Sequence, residues 1–359
     1  MTTSIVSTPE RVWVDIDRSA LIANARAVAA SARVPLLPMI KADAYGLGAV
    51  EVARTLDVVD PWGFGVATLD EAAALRAARV TRPIIVFTPF APDQLERHRS
   101  LELRPLICDL PALDAWLAAG AAPFHLGVDT GMGRVGFQWN DGALRSAVAD
   151  RLRGATGWEG IATHFHSADA DVEATGSQWQ RFEGVIGALP RRPPLVHAAN
   201  SAAALRGAGY VGDLVRPGIF LYGGSVGPWA PAPRPVATLR SRVVAVREVA
   251  AGESVSYRAT WRATAPTTIA TLAIGYGDGL LRSGSGRARV ELNGEVVPVV
   301  GRITMDFTMI AVARGAARLG DVATVFGGAI SLDAHAEALG TISYEVLTAM
   351  SPRVVRRYA

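Results

Sequence analysis

An α/β fold, a TIM-type (β/α)8 barrel followed by a smaller, mainly antiparallel β domain, is predicted by three observations. Eight short apolar runs recur through the first two-thirds of the chain with helix-like segments between them, the signature of parallel βαβ units. The chemically capable residues fall at the C-terminal ends of those runs, where barrels of this type carry their chemistry. Beyond residue 236 the texture changes to closely spaced β-rich runs. A length of 359 residues suits a barrel of about 250 residues plus a small second domain.

In chain order, residues 1–9 read as an N-terminal extension expected to pack on the β domain, and the barrel is expected over 10–230. Residues 18–32 are alanine-rich and put Leu21, Ile22, Ala25 and Val28 on one face, which predicts a helix. The apolar runs are Leu36–Lys41, Gly63–Thr68, Pro83–Thr88, Arg104–Asp109, Phe124–Asp129, Gly160–Phe165, Leu195–Asn200 and Leu214–Tyr222. Helices are predicted between them over Asp70–Arg79, Asp109–Ala118, Gly142–Arg153 and Val172–Leu189. The run ends carry Lys41, Asp129 with Arg134 just beyond it, His164, Asn200 with Ser201, and Arg216. A doubly wound open sheet is the alternative arrangement of the same units.

Residues 223–235 hold four prolines and three glycines, which fix φ, remove donors and rule out a regular helix or central strand, so they read as an interdomain connection. The β domain is expected over 236–359, with runs at Ala237–Val249, Thr267–Ile274, Ala288–Leu292, Val296–Ile303, Thr308–Val312 and Asp321–Phe326. Asn293-Gly294 between two of them signals a type I′ hairpin.

The net charge of +3 is small for this length and the arginines are scattered, so no nucleic-acid stripe is predicted. Cys108 is the only cysteine, which excludes an intrachain disulfide and a thiolate metal cluster, and no metal site is expected. The N-terminus lacks a basic flank followed by an apolar core, and no apolar run approaches a membrane span. A soluble, cytoplasmic protein is expected.

Lys41 is the most informative single residue. A lysine closing a buried strand is costly to desolvate unless paired or neutral, and a neutral amine can form a Schiff base. A lysine snorkelling from a strand end is the alternative reading. The string Lys41-Ala42-Asp43-Ala44-Tyr45-Gly46-Leu47-Gly48 after an apolar run resembles the pyridoxal-phosphate lysine motif of the alanine racemase family. That resemblance covers nearly the whole chain. It implies a pyridoxal 5′-phosphate cofactor on Lys41 and an amino-acid racemase, with alanine the default substrate. It also implies a homodimer with composite sites.

The remaining motifs follow the same family. His197-Ala198-Ala199-Asn200-Ser201 and Arg216-Pro217-Gly218-Ile219 resemble its phosphate-holding segments, with Tyr45 a further phosphate ligand. Ser201 also reads as a plain helix cap and Tyr222 as a packing residue. By the same resemblance Arg216 faces the cofactor pyridine nitrogen, and His164 hydrogen-bonds Arg216. His166 has no assigned role. Val255-Ser256-Tyr257 resembles the motif of the opposing catalytic base, with Tyr257 serving the partner's site. Arg134 sits at the position that holds the substrate carboxylate and favours the phenolate. Met305 and Asp306, in Gly301-Arg302-Ile303-Thr304-Met305-Asp306, and Tyr276, in Gly275-Tyr276-Gly277, are implied to contact substrate and line the entrance.

Three positions depart from the family pattern. Gly127 stands where a carbamylated lysine is common, Arg258 follows the tyrosine in place of glycine, and Pro352 replaces an inner-gate tyrosine. Together they open the question of another substrate: serine, a larger side chain or an acidic one. A decarboxylase of this architecture and a non-catalytic binding relative are the other readings. The first usually carries a cysteine motif in its second domain, whereas Cys108 lies in the barrel.

Overall fold

The computed structural model describes residues 10–120 and 122–359. The expected packing of residues 1–9 lies outside the described residues. The chain divides into two compact units, one of which comprises Leu21–Leu221 and Ser225–Pro233.

That unit is a closed barrel. Six strands, Phe64–Val66, Ile84–Pro89, Arg104–Ile107, Phe124–Asp129, Trp158–Ala162 and Leu195–His197, pair in parallel in chain order. The gap is filled by two extended segments held by bridges. Leu36 bridges Val215 and Met39 bridges Gly65, both in parallel. Leu37 donates its amide to Val215, Met39 to Pro217, Gly65 to Pro38 and Arg216 to Ala199. Eight parallel positions therefore close on themselves, and the open-sheet alternative fails. The strands are apolar because side chains meet on both faces: all six residues of Phe124–Asp129 are buried.

The intervening helices start on side-chain caps. Asp109, Asp141 and Asp171 each accept a backbone N–H of the first turn, and Thr68 with Glu71 forms a reciprocal capping box. The helices Leu69–Ala77, Leu110–Ala118, Gly142–Leu152 and Val172–Gly187 match the predicted segments to within two residues at each end. Two runs end differently from the strand reading. The run Leu36–Lys41 leaves the ladder after Met39. The run Leu214–Tyr222 turns into a 3-10 helix over Ile219–Tyr222, because Pro217 cannot donate to a neighbouring strand.

The second unit contains Arg234–Ala359, Tyr222–Gly224 and the described residues up to Ala20. Val12–Ile16 lies inside the span 10–230 that the sequence assigns to the barrel. It is instead a strand of this unit's eight-stranded sheet, antiparallel to Ala237–Val249 and parallel to Val355–Tyr358. Those ladders satisfy its backbone on both edges, so hydrogen bonding decides its allegiance. The other pairings are antiparallel. Asn293 and Gly294 both have positive φ, as the type I′ turn between Arg289–Leu292 and Glu295–Pro298 requires. Two short helices, Leu332–Leu339 and Ser343–Thr348, interrupt the β pattern near its end.

Candidate active site

A cavity of about 270 Å³ opens at the C-terminal ends of the barrel strands, lined by Lys41, Arg134, His164, Arg216, Phe87 and Gly127 among others. Lys41 follows the first strand position and enters an unusual turn. Ala42, Asp43, Ala44 and Tyr45 all lie in the left-handed region, with φ between 51° and 58°. Such a run costs roughly 1–2 kcal/mol per residue without compensation. Compensation is visible: Ala42 donates its amide to Glu71 at 2.7 Å, and Asp43 accepts from the amides of Ala49 and Gly48. Burial, and next the charge of Arg134, lowers the Lys41 amine below the usual lysine range; Glu71 partly opposes this and Arg216 adds to it. Lys41 is also the only lysine in the chain.

Arg216 is 5% exposed. Its guanidinium donates to the carbonyls of His197, Thr163 and Ala198 at 2.6, 2.6 and 3.0 Å, and to Nδ1 of His197 at 2.9 Å. His164 Nδ1 lies 3.4 Å from its other terminal nitrogen, the contact expected between these two residues. Burial, then Arg134, brings Arg216 down to about 9, still cationic at neutral pH. His164 is pushed down to about 3 by burial and then by Arg216, so it is neutral and its bare nitrogen can accept.

The loop bearing Arg134 is built by Asp129. Its carboxylate accepts the amides of Gly131, Gly133 and Arg134 at 2.8 to 3.1 Å, which aims the loop over the cavity. Among the described residues no carboxylate lies within ion-pair distance of Arg134. At Gly127, on the cavity wall, an added Cβ would stand 2.7 Å from Cys108 Sγ, so the cysteine already fills that space.

Tyr45, Ser201 and Gly218 meet in one place. Ser201 Oγ accepts the Gly218 amide at 2.8 Å, and a Cβ on Gly218 would collide with the Tyr45 hydroxyl. The absent side chain is what brings that hydroxyl to the backbone. Asn200 caps the helix Ser201–Leu205 through the Ala203 amide, and Ile219 is buried beside Gly218.

The other expected residues group on the β unit. Tyr257, Met305 and Tyr276 are 69%, 53% and 43% exposed, unusual for large apolar side chains. Tyr257 and Phe307 line an open groove of about 450 Å³. Ser256, Arg258 and Ala259 around Tyr257 all have positive φ, and Ser256 Oγ donates to the Arg302 carbonyl at 2.7 Å. The Met305 amide makes no backbone hydrogen bond among the described residues. Asp306 forms a 2.6 Å ion pair with Arg353. His166 is exposed and contacts Ser167 Oγ.

Sequence reasoning missed Glu71 and His125, and assigned no role of its own to His197. Thr68-x-x-Glu71 is a legible capping-box signal. Nothing local marks His125. Among the described residues no cluster of His, Cys, Asp and Glu could hold a metal, and no helix is long and apolar enough to cross a membrane.

Comparison with known proteins bears directly on this arrangement. The family model for the alanine racemase N-terminal domain matches residues 16–226, and that for the C-terminal domain matches 236–358. A protein named alanine racemase from Acidiphilium cryptum is 39% identical over 349 residues, covering 95% of this chain and 97% of that one. The crystal structure of the biosynthetic alanine racemase from Pseudomonas aeruginosa aligns with a TM-score of 0.89 at 34% identity, over 98% of this chain and 99% of that one. The alanine racemase from Bartonella henselae with covalently bound pyridoxal phosphate aligns with a TM-score of 0.91 at 29% identity, over 98% and 100%.

Proposed function

The chain belongs to the alanine racemase family, and we propose that it interconverts L- and D-alanine using pyridoxal phosphate bound at Lys41. The observation that carries this reading is a sole lysine, its pKa lowered by desolvation and by Arg134, that lines one cavity with Arg134 and Arg216. The residues fit the cofactor. A neutral amine is the nucleophile an aldehyde needs, and two arginines complement an anionic ligand. The missing Cβ of Gly218, with Tyr45 and Ser201 beside it, leaves a polar cradle for a phosphate. Asn200 holds Ser201 at its helix start, and Ile219 closes the apolar side.

When bound, pyridoxal phosphate supplies an aldehyde that condenses with amines and a ring that acidifies the substrate Cα–H. Lys41, the residue that would hold the cofactor, would take or give the proton on one face of Cα through its amine. The partner subunit's Tyr257 does so on the other, which makes the active form a homodimer. A phenol of unperturbed pKa near 10 needs a cation beside it to act as a base, and Arg134 supplies that charge while binding the substrate carboxylate. The Met305 amide is a second donor to that carboxylate. Tyr276 and Asp306, the latter ion-paired to Arg353, restrict the approach. Arg216 only donates hydrogen bonds and so disfavours a proton on the cofactor ring nitrogen, while neutral His164 helps to orient it.

The test is reduction of the loaded protein with borohydride, then peptide mapping and a racemisation assay in deuterated water. A label on the peptide containing Lys41, with deuterium entering alanine at Cα, supports the reading. Active protein that takes up no label overturns it.

A second reading, a racemase of serine, a larger or an acidic amino acid, is favoured by one observation: no carboxylate among the described residues pairs with Arg134. Comparing kcat/KM for alanine, serine and glutamate separates the two. A hundredfold preference for alanine, about 2.7 kcal/mol of transition-state discrimination, eliminates the second.

A further inference from the structure

Arg216 is the first member of a line of side chains running through the barrel interior. His197 accepts from Arg216 at Nδ1, and its Nε2 lies 2.8 Å from Nδ1 of His125. His125 Nε2 lies 3.1 Å from a carboxylate oxygen of Glu159, and Arg104 Nε reaches the same oxygen at 3.3 Å. Both imidazoles are fully buried. His125 and Glu159 are each the second residue of their strands, Phe124–Asp129 and Trp158–Ala162. The line therefore ends at the N-terminal face of the barrel, opposite the cavity. Room for it is built in: a Cβ on Gly160 would collide with the His125 ring.

Only one arrangement of hydrogens satisfies every contact. A guanidinium donates and never accepts, so His197 Nδ1 is bare and its hydrogen is on Nε2. That hydrogen needs an acceptor, so His125 Nδ1 is bare and its own hydrogen, on Nε2, goes to the Glu159 carboxylate. An imidazolium at either position would oppose two hydrogens across a short contact. Burial, the largest influence on both rings, also holds them below the ordinary histidine range. The donor-only guanidinium at one end of the line and the acceptor-only carboxylate at the other require the same tautomer of both rings.

We propose that Glu159 is a positioning residue for Arg216: by accepting from His125 it fixes two buried tautomers and so presents a bare imidazole nitrogen to the guanidinium. Its effect on catalysis rests on the reading that places Arg216 against the cofactor ring; the tautomers themselves do not.

The test uses the full-length, cofactor-loaded protein with 15N-labelled histidine, comparing the wild type with Glu159→Gln and Glu159→Leu. Glu159 is only partly buried, and both replacements keep its approximate length, so a cooperative unfolding transition serves as the folding control. In the wild type, His125 and His197 are expected as single neutral Nε2–H tautomers from pH 6 to 9. In Glu159→Leu the two rings become tautomer mixtures and kcat falls about three- to tenfold with KM changed less than twofold, whereas Glu159→Gln, whose amide oxygen can still accept from His125, keeps the wild-type tautomers. A hydrogen on Nδ1 of either ring in the wild type overturns the proposal. So do unchanged tautomers in Glu159→Leu, or scrambled tautomers with unchanged kcat. A wild type that racemises no amino acid would overturn the proposed function instead, and the tautomers would then decide this proposal alone.

Discussion

Glu71 accepts the amide hydrogen of Ala42 at 2.7 Å with one carboxylate oxygen. With the other it accepts those of Ala67 at 2.7 Å and Thr68 at 3.2 Å. One half-buried side chain thus ties the left-handed turn after Lys41 to the start of the helix Leu69–Ala77. The backbone that aims the lysine is held from outside the lysine motif.

Replacing Glu71 with alanine removes three acceptor bonds, leaves the Ala42 amide without its partner and frees a backbone that is strained on its own. A loss of about 0.5–1.5 kcal/mol is expected from the lost hydrogen bonds, since the freed amides of Ala42 and Thr68 are exposed to water, read as a lower urea midpoint at unchanged slope, together with faster loss of pyridoxal phosphate on dilution. An unchanged midpoint and unchanged cofactor retention would show that the turn is held by other contacts.

Because Lys41 is the only lysine, reductive 13C-methylation of the cofactor-free protein yields one lysine signal whose titration reports this amine alone. Burial and Arg134 both disfavour its charged form. The titration midpoint is therefore expected below the usual lysine range. Arg134→Gln, by removing a positive charge, should move the midpoint upward. A downward or absent shift would refute the electrostatic coupling of the two residues.

If Tyr257 works in the partner's site, inactive Lys41→Ala and inactive Tyr257→Phe subunits should complement each other once exchanged. One site of the mixed dimer then regains both bases, giving up to about half the activity of a wild-type dimer. No recovery after demonstrated exchange would remove Tyr257 from the partner's site.

Gly127 and Cys108 should behave as a coupled pair. Gly127→Lys alone drives a Cβ to 2.7 Å from the Cys108 sulfur, an overpacking expected to cost about 1–3 kcal/mol. Cys108→Ala combined with Gly127→Lys should recover part of that loss, a non-additivity measurable in a double-mutant cycle. Strict additivity would mean that the wall yields elsewhere.

The sequence by itself determined the barrel-plus-β architecture and marked the candidate site residues. Apolar runs with reactive residues at their C-terminal ends are local patterns, and burial on both faces of a parallel strand forces them. Lys41, Arg134, His164 and Arg216 were legible for that reason, and the structure sets them around one cavity. Three things were decided only in three dimensions. Val12–Ile16 has no local feature naming its neighbours, and its sheet is fixed by ladders to residues more than two hundred positions away. Ala42–Tyr45 reads as ordinary helix-forming residues, yet it is left-handed because Glu71 and Asp43 fix its amides and those that follow. His125, His197 and Glu159 lie on three different strands and acquire a role only when barrel closure stacks their side chains in one interior. Hydrogen-bond partners distant in sequence carry no periodic signal, so only the closed structure reveals which donor meets which acceptor.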